Sequence, residues 1–315
     1  MAEAIDDDDE VFVYMGGDQQ VPDGVRRARI HKDVKIVHAR AFYHRRQLIS
    51  VEFHDGIEII EEYAFYCCPS LRSIKLLGIK IIKADAFKDC SGLLDVEFGD
   101  KLETIEEFAF NNCSSLKKIR MPSVRTVGGA AFAWCYNLAD VECDKELRTL
   151  HVAAFRNCPK LKRIALPLKD DMIEDNVFFD CPNLTTIDLV GETRRTIASL
   201  HLESWRNEMN NEINRMNQTL PFTNHKTEEI RQRMRSTFRQ LNHFKAEHNK
   251  ILKEATTLLE LSLWKVNLDN NEGDRLKREG VRTVREVESS RDEIRYTCGA
   301  DIVIKNVLPF LALKF

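Results

Sequence analysis

The chain has 315 residues, and its 47 Lys and Arg oppose 50 Asp and Glu, so the formal net charge is −3. This balance argues against a dedicated nucleic-acid-binding protein, which would carry a large basic excess. The hydrophobic content of 43% argues against an acidic disordered chain. The length is enough for one or two globular domains.

The two ends of the sequence bear on the cellular compartment. The first ten residues, MAEAIDDDDE, have neither the basic nor the apolar region of a secretory signal. The most apolar stretch, Ile302–Leu313, is much shorter than the roughly 20 residues that span a bilayer. The nine cysteines are an odd number, which is typical of reduced thiols in an intracellular protein. We therefore expect a cytoplasmic protein without a transmembrane segment.

An internal repeat of 22 or 23 residues organises the first two thirds of the chain. The pattern Phe-x-x-Cys-x-x-Leu begins at Phe65, Phe87, Phe110, Phe132, Phe155 and Phe178, and an imperfect copy begins at Phe42 with Arg45 in the cysteine position. Alternating apolar residues follow each leucine, which predicts one short strand per repeat. Because a unit of this size cannot bury its apolar side by itself, the copies must stack. The pattern predicts a right-handed α/β solenoid with a parallel strand ladder.

These units resemble the BspA-like class of leucine-rich repeats, which carry cysteine, leucine, isoleucine and alanine-phenylalanine in this order. The resemblance covers roughly Val34 to Leu189 and implies an interaction module. The export signal of the surface members is not visible here, so their surface role is not carried over. The whole chain is also similar to a group of algal repeat proteins with a helical tail. We expect an acidic leader and a cap strand at Val11–Met15 within residues 1–33, the solenoid at 34–190, and a helical module at 191–315.

The repeat cysteines occupy equivalent positions and should form one column: Cys68, Cys90, Cys113, Cys135, Cys158 and Cys181. Neighbouring strands are ~4.8 Å apart, so spacing alone permits disulfides or a metal. Side chains stacked in register all point the same way, however, whereas tetrahedral zinc needs converging ligands. We interpret the column as buried packing residues and expect no metal and no cofactor.

Outward-facing strand residues form charged columns that alternate in sign. The candidate partner-binding residues of this strand face are Glu52, Lys75, Glu97, Arg120 and Glu142 in one column and Asp95, Lys118, Asp140 and Arg163 in the next. Opposite charges on neighbouring strands stabilise a sheet, so the face could simply pair with itself and fix the register. Alternatively, a protein with mixed charges could bind there.

Helical spacing replaces the repeat after Gly191. Apolar residues recur from Ile197 to Met216, and a second helix should begin near Thr223–Thr227. The polar sequence Asp269–Gly273 should end it, and a third helix should occupy about Asp274–Tyr296. The stripes favour an antiparallel hairpin or a coiled-coil seam, with the apolar Ile302–Leu313 docked as a closing element or available to a partner.

Within the basic helix predicted at 227–267, Arg231, Arg235 and Arg239 fall on one face. They could contact RNA or an anionic membrane, or they could form an ordinary solvated face. His243 and His248 are five residues apart, a spacing that does not suit a zinc pair on a helix. Cys298 could serve as a thiol nucleophile, but a structural cysteine is the simpler interpretation.

These patterns favour a non-catalytic scaffold. The solenoid would bind an unidentified protein, and the helices would mediate self-association or a second contact. The alternatives are RNA or membrane binding through the basic helix and a thiol enzyme around Cys298. No phosphate-cradling glycine loop or paired catalytic carboxylates are visible in the sequence. Residues 191–315 carry 22 Lys and Arg against 18 Asp and Glu, whereas the preceding residues carry 25 against 32, so the two parts could attract each other.

Overall fold

In the computed structural model, the described residues are 11–191, 193–216 and 226–278, and only the backbone is described for 194, 216 and 267–278. The acidic leader, Cys298 and the apolar stretch 302–313 lie outside the described residues. So does the part of the expected third helix beyond residue 278.

Short parallel strands make up the repeat region, as the alternation predicts. In chain order they are β1 (Phe12–Tyr14), β2 (Arg27–Ile30), β3 (Ile36–Val37), β4 (Ser50–Glu52), β5 (Ile59–Ile60), β6 (Ser73–Leu76), β7 (Ile81–Ile82), β8 (Asp95–Phe98), β9 (Thr104–Ile105), β10 (Lys118–Met121), β11 (Thr126–Val127), β12 (Asp140–Cys143), β13 (Thr149–Leu150), β14 (Arg163–Pro167) and β15 (Thr186–Val190). β1 lies within the expected cap segment and pairs with β2. The parallel solenoid of about seven turns is therefore confirmed.

Each of the six coils from β2 to β13 contributes to two ladders rather than to the single ladder that the sequence predicts. The longer strands form sheets β1-β2-β4-β6-β8 and β10-β12-β14-β15, and the two-residue strands form the sheet β3-β5-β7-β9-β11-β13. The second ladder coincides with apolar positions that the sequence shows, for example at Ile105 and Val127. Two residues are too few for alternation to reveal a strand.

A column of phenylalanines occupies the core. The rings of Phe42, Phe65, Phe87, Phe110, Phe132, Phe155 and Phe178 stack in sequence, with centroids 4.6 to 6.0 Å apart, and all seven are fully buried. Tyr14 of the cap continues this column against Phe42 at 5.4 Å. The ring column and the strand ladders together fix the direction in which the coils stack.

Among the described residues, three helices follow the repeats: α1 (Thr193–Ala198), α2 (Glu203–Met216) and α3 (Lys226–Arg278). The expected start of the second helix is confirmed. The expected break at Asp269–Gly273 is wrong, because α3 continues through it without interruption. One glycine costs a helix only about 1 kcal/mol, and no proline is present to stop it.

The chain divides into two compact units. The first contains the residues up to Ile197 together with Glu208–Arg239, and the second contains Ala198–Asn207 and the chain from Gln240. The first unit thus combines the repeats with most of α1, the later part of α2 and the beginning of α3. The domain bounds expected at 34–190 and 191–315 stay a prediction.

Candidate interaction surfaces

The six repeat cysteines lie in one buried column. Each thiol donates a hydrogen bond to the backbone carbonyl of the phenylalanine in the preceding coil, with Sγ–O distances of 3.0 to 3.4 Å. All six are free thiols with no solvent exposure. Burial raises the pKa of Cys135 to about 12 and the pKa of Cys90, Cys113 and Cys158 well above the ordinary value. Neutral, inaccessible thiols are poor nucleophiles, so this arrangement is that of packing residues.

Within the described residues, no group of three His, Cys, Asp or Glu side chains is arranged to hold a metal ion. His248 Nδ1 accepts a hydrogen bond from the N–H of His201, and the ring of His243 lies against Phe244. Both histidines therefore have structural contacts.

The charged side chains of the strand face pair with one another across the strands. Lys75 lies 3.3 Å from Glu97, and Lys118 lies 3.2 Å from Asp140 and 3.1 Å from Glu142. The remaining pairs are Arg29–Glu52 at 2.5 Å, Arg120–Glu142 at 3.9 Å, and Arg163 with Asp140, Glu142 and Asp188 at 2.7, 3.2 and 2.5 Å. Asp95, opposite Ser73 in the register, makes no ion pair with any described residue.

Arg163 is the centre of the most connected part of this face. Its hydrogen bonds to Asp140 and Asp188 raise the pKa of Arg163, and hydrogen bonds from Lys118 and Arg163 lower the pKa of Glu142. Side chains farther along the face, such as Lys75 at 76% exposure, make pairs that contribute at most about 1 kcal/mol each. The geometry therefore favours a role in register over a free charged surface.

The first turns of α3 close the C-terminal end of the solenoid by imitating a further coil. In the repeats, each core phenylalanine N–H donates to a carbonyl of the next coil, as Phe155 does to Val177 at 3.0 Å. After Phe178 the described residues contain no further repeat coil, and its N–H donates instead to the Thr227 hydroxyl at 2.9 Å. A side-chain oxygen of the helix thus replaces a backbone oxygen of the solenoid.

Lys226 makes a second contact of this kind. Its side chain is fully buried, and Nζ donates to the carbonyls of Pro182 at 2.6 Å and Leu184 at 2.5 Å. One coil earlier, the carbonyl equivalent to Pro182 accepts from the Asn183 amide, which is 2.7 Å from the Pro159 oxygen. Burial lowers the pKa of Lys226.

Two arginines of the predicted basic face also bind the last coil and complete the contacts by which α3 closes the solenoid. Arg231 donates to the Ile173 carbonyl at 3.0 Å and to Asp175 at 2.9 Å, and only 14% of its side chain is exposed. Arg235 pairs with Asp171 at 2.7 Å. Arg239 is exposed. The structure therefore does not present these three residues as one open basic surface, because two of them bind the last coil.

A cluster that the sequence reasoning missed lies on the turns beside the core phenylalanines. We call it the turn-face cluster, and its members are Arg40, Tyr43, Tyr63, Tyr66, Lys88 and Phe108. Tyr43 and Tyr66 stack at 5.2 Å. The Arg40 guanidinium lies 5.8 and 5.5 Å from the ring centres of Tyr43 and Tyr63, and Lys88 Nζ lies 4.9 Å from that of Phe108.

Left-handed backbone turns position this cluster. Tyr63 and Phe108 stand two residues before a core phenylalanine, at φ values of 58° and 56°, and the equivalent residue of every other coil also has a positive φ. Phe108 is 38% exposed despite its size. Comparison of the non-core positions across the repeats would have shown these aromatics, since they occur at fixed distances from the core phenylalanines.

A second exposed apolar surface lies on the later part of α3. Its members are Leu258, Leu261, Leu263, Trp264 and Val266, with exposures of 48 to 64%. We call it the distal apolar segment. None of the described helices is both long enough and apolar enough to cross a membrane.

A cavity of about 410 Å³ lies beside α2 and the beginning of α3. Its wall includes the ion pairs Arg215–Glu212 and Arg233–Glu229, and in each pair the arginine neutralises the charge of the glutamate. This lining has neither a base–nucleophile pair nor a cluster of metal ligands, so it offers no catalytic arrangement.

Comparison with solved structures identifies several repeat proteins. A leucine-rich repeat protein of T. pallidum is 26% identical over 50% of this chain and 81% of that one, with a TM-score of 0.41. The pneumococcal vaccine antigen PcpA is 23% identical over 57% and 54%, with a TM-score of 0.40. A protein of Bacteroides ovatus is 18% identical over 57% and 63%, with a TM-score of 0.33. No curated protein matches the chain.

The family comparison covers most of the described repeats. The model of the BspA type leucine rich repeat region matches residues 24–123 and 80–197 in six copies, which together exceed half of the sequence. The matched residues contain the phenylalanine and cysteine columns and every strand of both ladders except β1. The chain belongs to the BspA-type leucine-rich repeat family.

Proposed function

We propose that the chain is a non-catalytic scaffold that binds a protein partner through the turn-face cluster. Three observations support the absence of catalysis: the recurring residues pack the core, the repeat thiols are fully buried, and most charges of the strand face pair with one another. Solenoids of this family are generally not enzymes.

The turn-face cluster carries this proposal. Tyrosine and arginine are enriched at the energetic centres of protein interfaces because they combine a large contact area with a polar group. In the cluster these residues are already held in place by ring stacking and by the cations beside them, so little side-chain entropy is lost on binding. The strand face, whose charges are mutually paired, would have to lose ion pairs in order to bind.

Matched variants distinguish the two faces. The full-length chain is used as bait with Tyr66→Ala and Phe108→Ala together, and separately with Lys75→Ala and Arg120→Ala. Captured proteins are compared by quantitative mass spectrometry, and the strongest partner is purified for titration. We expect the aromatic variant to lose about 30-fold in affinity, since a hot-spot residue contributes ~2 kcal/mol or more.

The strand-face variant should keep its affinity, and circular dichroism should show that both variants fold. Loss of binding in the strand-face variant alone would place the contact on the strands and contradict the proposal.

We further propose that the distal apolar segment mediates self-association. The support is the exposure of five large apolar side chains within nine residues of one helix, an arrangement that is costly in water. Sedimentation analysis of the full chain should show an oligomer that Leu261→Glu with Trp264→Glu converts to a monomer. Lys253→Glu with Thr257→Glu, at exposed polar positions of the same helix, should leave it unchanged. A wild-type monomer at micromolar concentration would contradict self-association.

The cytoplasmic location stays a prediction, which fractionation of cells expressing the chain would check.

A further inference from the structure

A further charged column runs along the solenoid beside the two-residue strands. We call it the corner column, and it consists of the residue directly before each of these strands together with the equivalent residue of the last coil: Lys35, Glu58, Lys80, Glu103, Arg125, Arg148 and Asp171. Lys80 pairs with Glu58 at 2.8 Å, and Arg125 pairs with Glu103 at 3.2 Å. Signs alternate from Lys35 to Arg125, so each of these charges lies beside charges of the opposite sign.

The alternation breaks between Arg125 and Arg148. The Arg148 N–H donates to the Arg125 carbonyl at 2.8 Å, and the next residues pair in the register Thr126↔Thr149. The two arginines therefore lie on adjacent strands, ~4.8 Å apart along the ladder. Like charges in this position repel each other. Arg148 is exposed and makes no ion pair with any residue that the structure describes.

The docking of α3 takes away the acidic residue that would follow Arg148 in the column. The parallel bridge Leu150↔Ile173 places Asp171 next to Arg148 in the register. The Asp171 carboxylate is bound instead by Arg235 of α3, whose Nη2 and Nε lie 2.7 and 3.0 Å from Oδ1. Closure of the solenoid thus leaves Arg148 without a carboxylate from its own column.

Uncharged groups beside the two arginines leave room for an anion and can donate to it. Thr126 and Thr149 are half-buried, and their hydroxyls make no hydrogen bond within the described part of the chain. Two residues farther along each coil, Gly128 occupies a position that is charged or histidine in six other coils, namely at His38, Glu61, Lys83, Glu106, His151 and Glu174. The coil of Arg125 therefore contributes no side chain, and no carboxylate, at that position.

A third cation lies near Arg148 in the following coil. Burial lowers the pKa of Lys169, the carboxylate of Glu146 raises it, and the charge of Arg148 lowers it again. Three cations from three successive coils, Arg125, Arg148 and Lys169, are thus close together, with Glu103 and Glu146 as the acidic groups beside them.

We propose that Arg125 and Arg148 bind a phosphate group, either as free phosphate or on a phosphorylated side chain, and that the docking of Arg235 on Asp171 keeps this site open. The planar guanidinium groups can each donate two parallel hydrogen bonds to a tetrahedral oxyanion. A phosphate monoester carries about −1.5 to −2 charges at neutral pH, which offsets the repulsion between the arginines. The site is independent of the partner proposed for the turn-face cluster.

A labelled peptide of four alanines around one phosphoserine tests the site. It is titrated by fluorescence anisotropy into the full chain at fixed ionic strength, beside the same peptide with unmodified serine. The phosphopeptide should bind and inorganic phosphate should displace it. Arg148→Ala should weaken binding at least about tenfold, since it removes hydrogen bonds between charged groups. Arg72→Ala, at an exposed arginine outside the corner column, should leave the affinity unchanged.

The affinity of inorganic phosphate, measured by the same displacement, distinguishes the two sources of the ligand. Equal affinities for inorganic phosphate and phosphopeptide would identify free phosphate as the ligand. A phosphopeptide affinity at least about tenfold higher, or 1.4 kcal/mol, would identify a phosphorylated segment.

A pair of variants tests the dependence on α3. Arg235→Ala frees Asp171 to pair with Arg148, so it should weaken phosphopeptide binding although Arg235 does not touch the ligand. Adding Asp171→Asn removes the competing carboxylate and should restore the affinity, which a merely misfolded Arg235→Ala chain would not recover. Equal binding of the phosphorylated and unmodified peptides would overturn the proposal, as would wild-type affinity in Arg148→Ala or in Arg235→Ala.

Discussion

The thiol of each column cysteine has a specific hydrogen-bonding partner. It reaches back to the phenylalanine carbonyl of the preceding coil, as Cys135 does to Phe110 at 3.4 Å. A thiol is small, apolar and a weak hydrogen-bond donor. It therefore fills the space inside the turn and also donates a hydrogen bond to a buried carbonyl oxygen. The sequence spacing predicted the column. It could not identify the acceptor, because that depends on the offset between stacked coils.

The raised pKa of Cys135 predicts a pH dependence of stability. The folded chain retains this proton up to about pH 12, whereas the unfolded chain loses it near pH 9. The free energy of unfolding therefore falls as the pH rises from 9 towards 12, by up to ~1.4 kcal/mol per pH unit for this thiol. Cys135→Ala should reduce that slope in denaturant titrations at several alkaline pH values.

Cys67→Ala is the control for this experiment, because Cys67 is partly exposed and lies outside the column. Its replacement should change the slope less. Identical slopes for the wild type and Cys135→Ala would contradict the assignment of a buried neutral thiol.

At the level of the element, α3 begins where the sequence predicts but acts in a way that the sequence does not show. A helix start can be recognised locally, since Glu228 and Glu229 suit its first turn. The closure joins residues 42 to 64 positions apart and has no periodicity, so only the folded chain reveals it. The turn-face cluster differs in this respect, because its aromatic residues stand at fixed distances from the core phenylalanines and a comparison of the repeats shows them.

Lys226→Met tests the closure. The substitution keeps most of the apolar volume but leaves the carbonyls of Pro182 and Leu184 without their donor. Two unsatisfied buried acceptors should lower the free energy of unfolding by about 2–4 kcal/mol, measured by chemical denaturation.

Lys253→Met, at an exposed position of the same helix, should change the free energy of unfolding by no more than about 0.5 kcal/mol. If the two methionine variants were equally stable, the buried lysine would not hold the end of the solenoid.

At the scale of the whole molecule, each coil contacts only the coils beside it, so the stability of a coil depends mainly on its two neighbours. A defect at one end should therefore loosen the adjacent coils most and the distant coils least. Cap and closure differ in sequence but have the same role, since Tyr14 covers Phe42 at one end and Thr227 binds Phe178 at the other.

Hydrogen exchange measured by mass spectrometry should show how the loss of amide protection decreases with distance from the defect. Lys226→Met should reduce amide protection most around residues 161–183, with an effect that fades towards the first coil. Tyr14→Ala, which removes a fully buried ring, should produce the opposite gradient. Uniform loss of protection in both variants would show that the coils unfold as one unit.

The first turns of α3 bind the last coil in the way that a further coil would, through Lys226, Thr227 and Arg231. They could therefore end an array with a different number of coils. They recognise the edge that every coil of this type presents, chiefly backbone carbonyls and one N–H, and they require few particular side chains from the coil beneath. The number of coils is then independent of the helix that closes the solenoid. Coils could be added or removed inside the array while the same helix start continued to end it. The length of the solenoid, and with it the area of its surface, could therefore change without a new closing element.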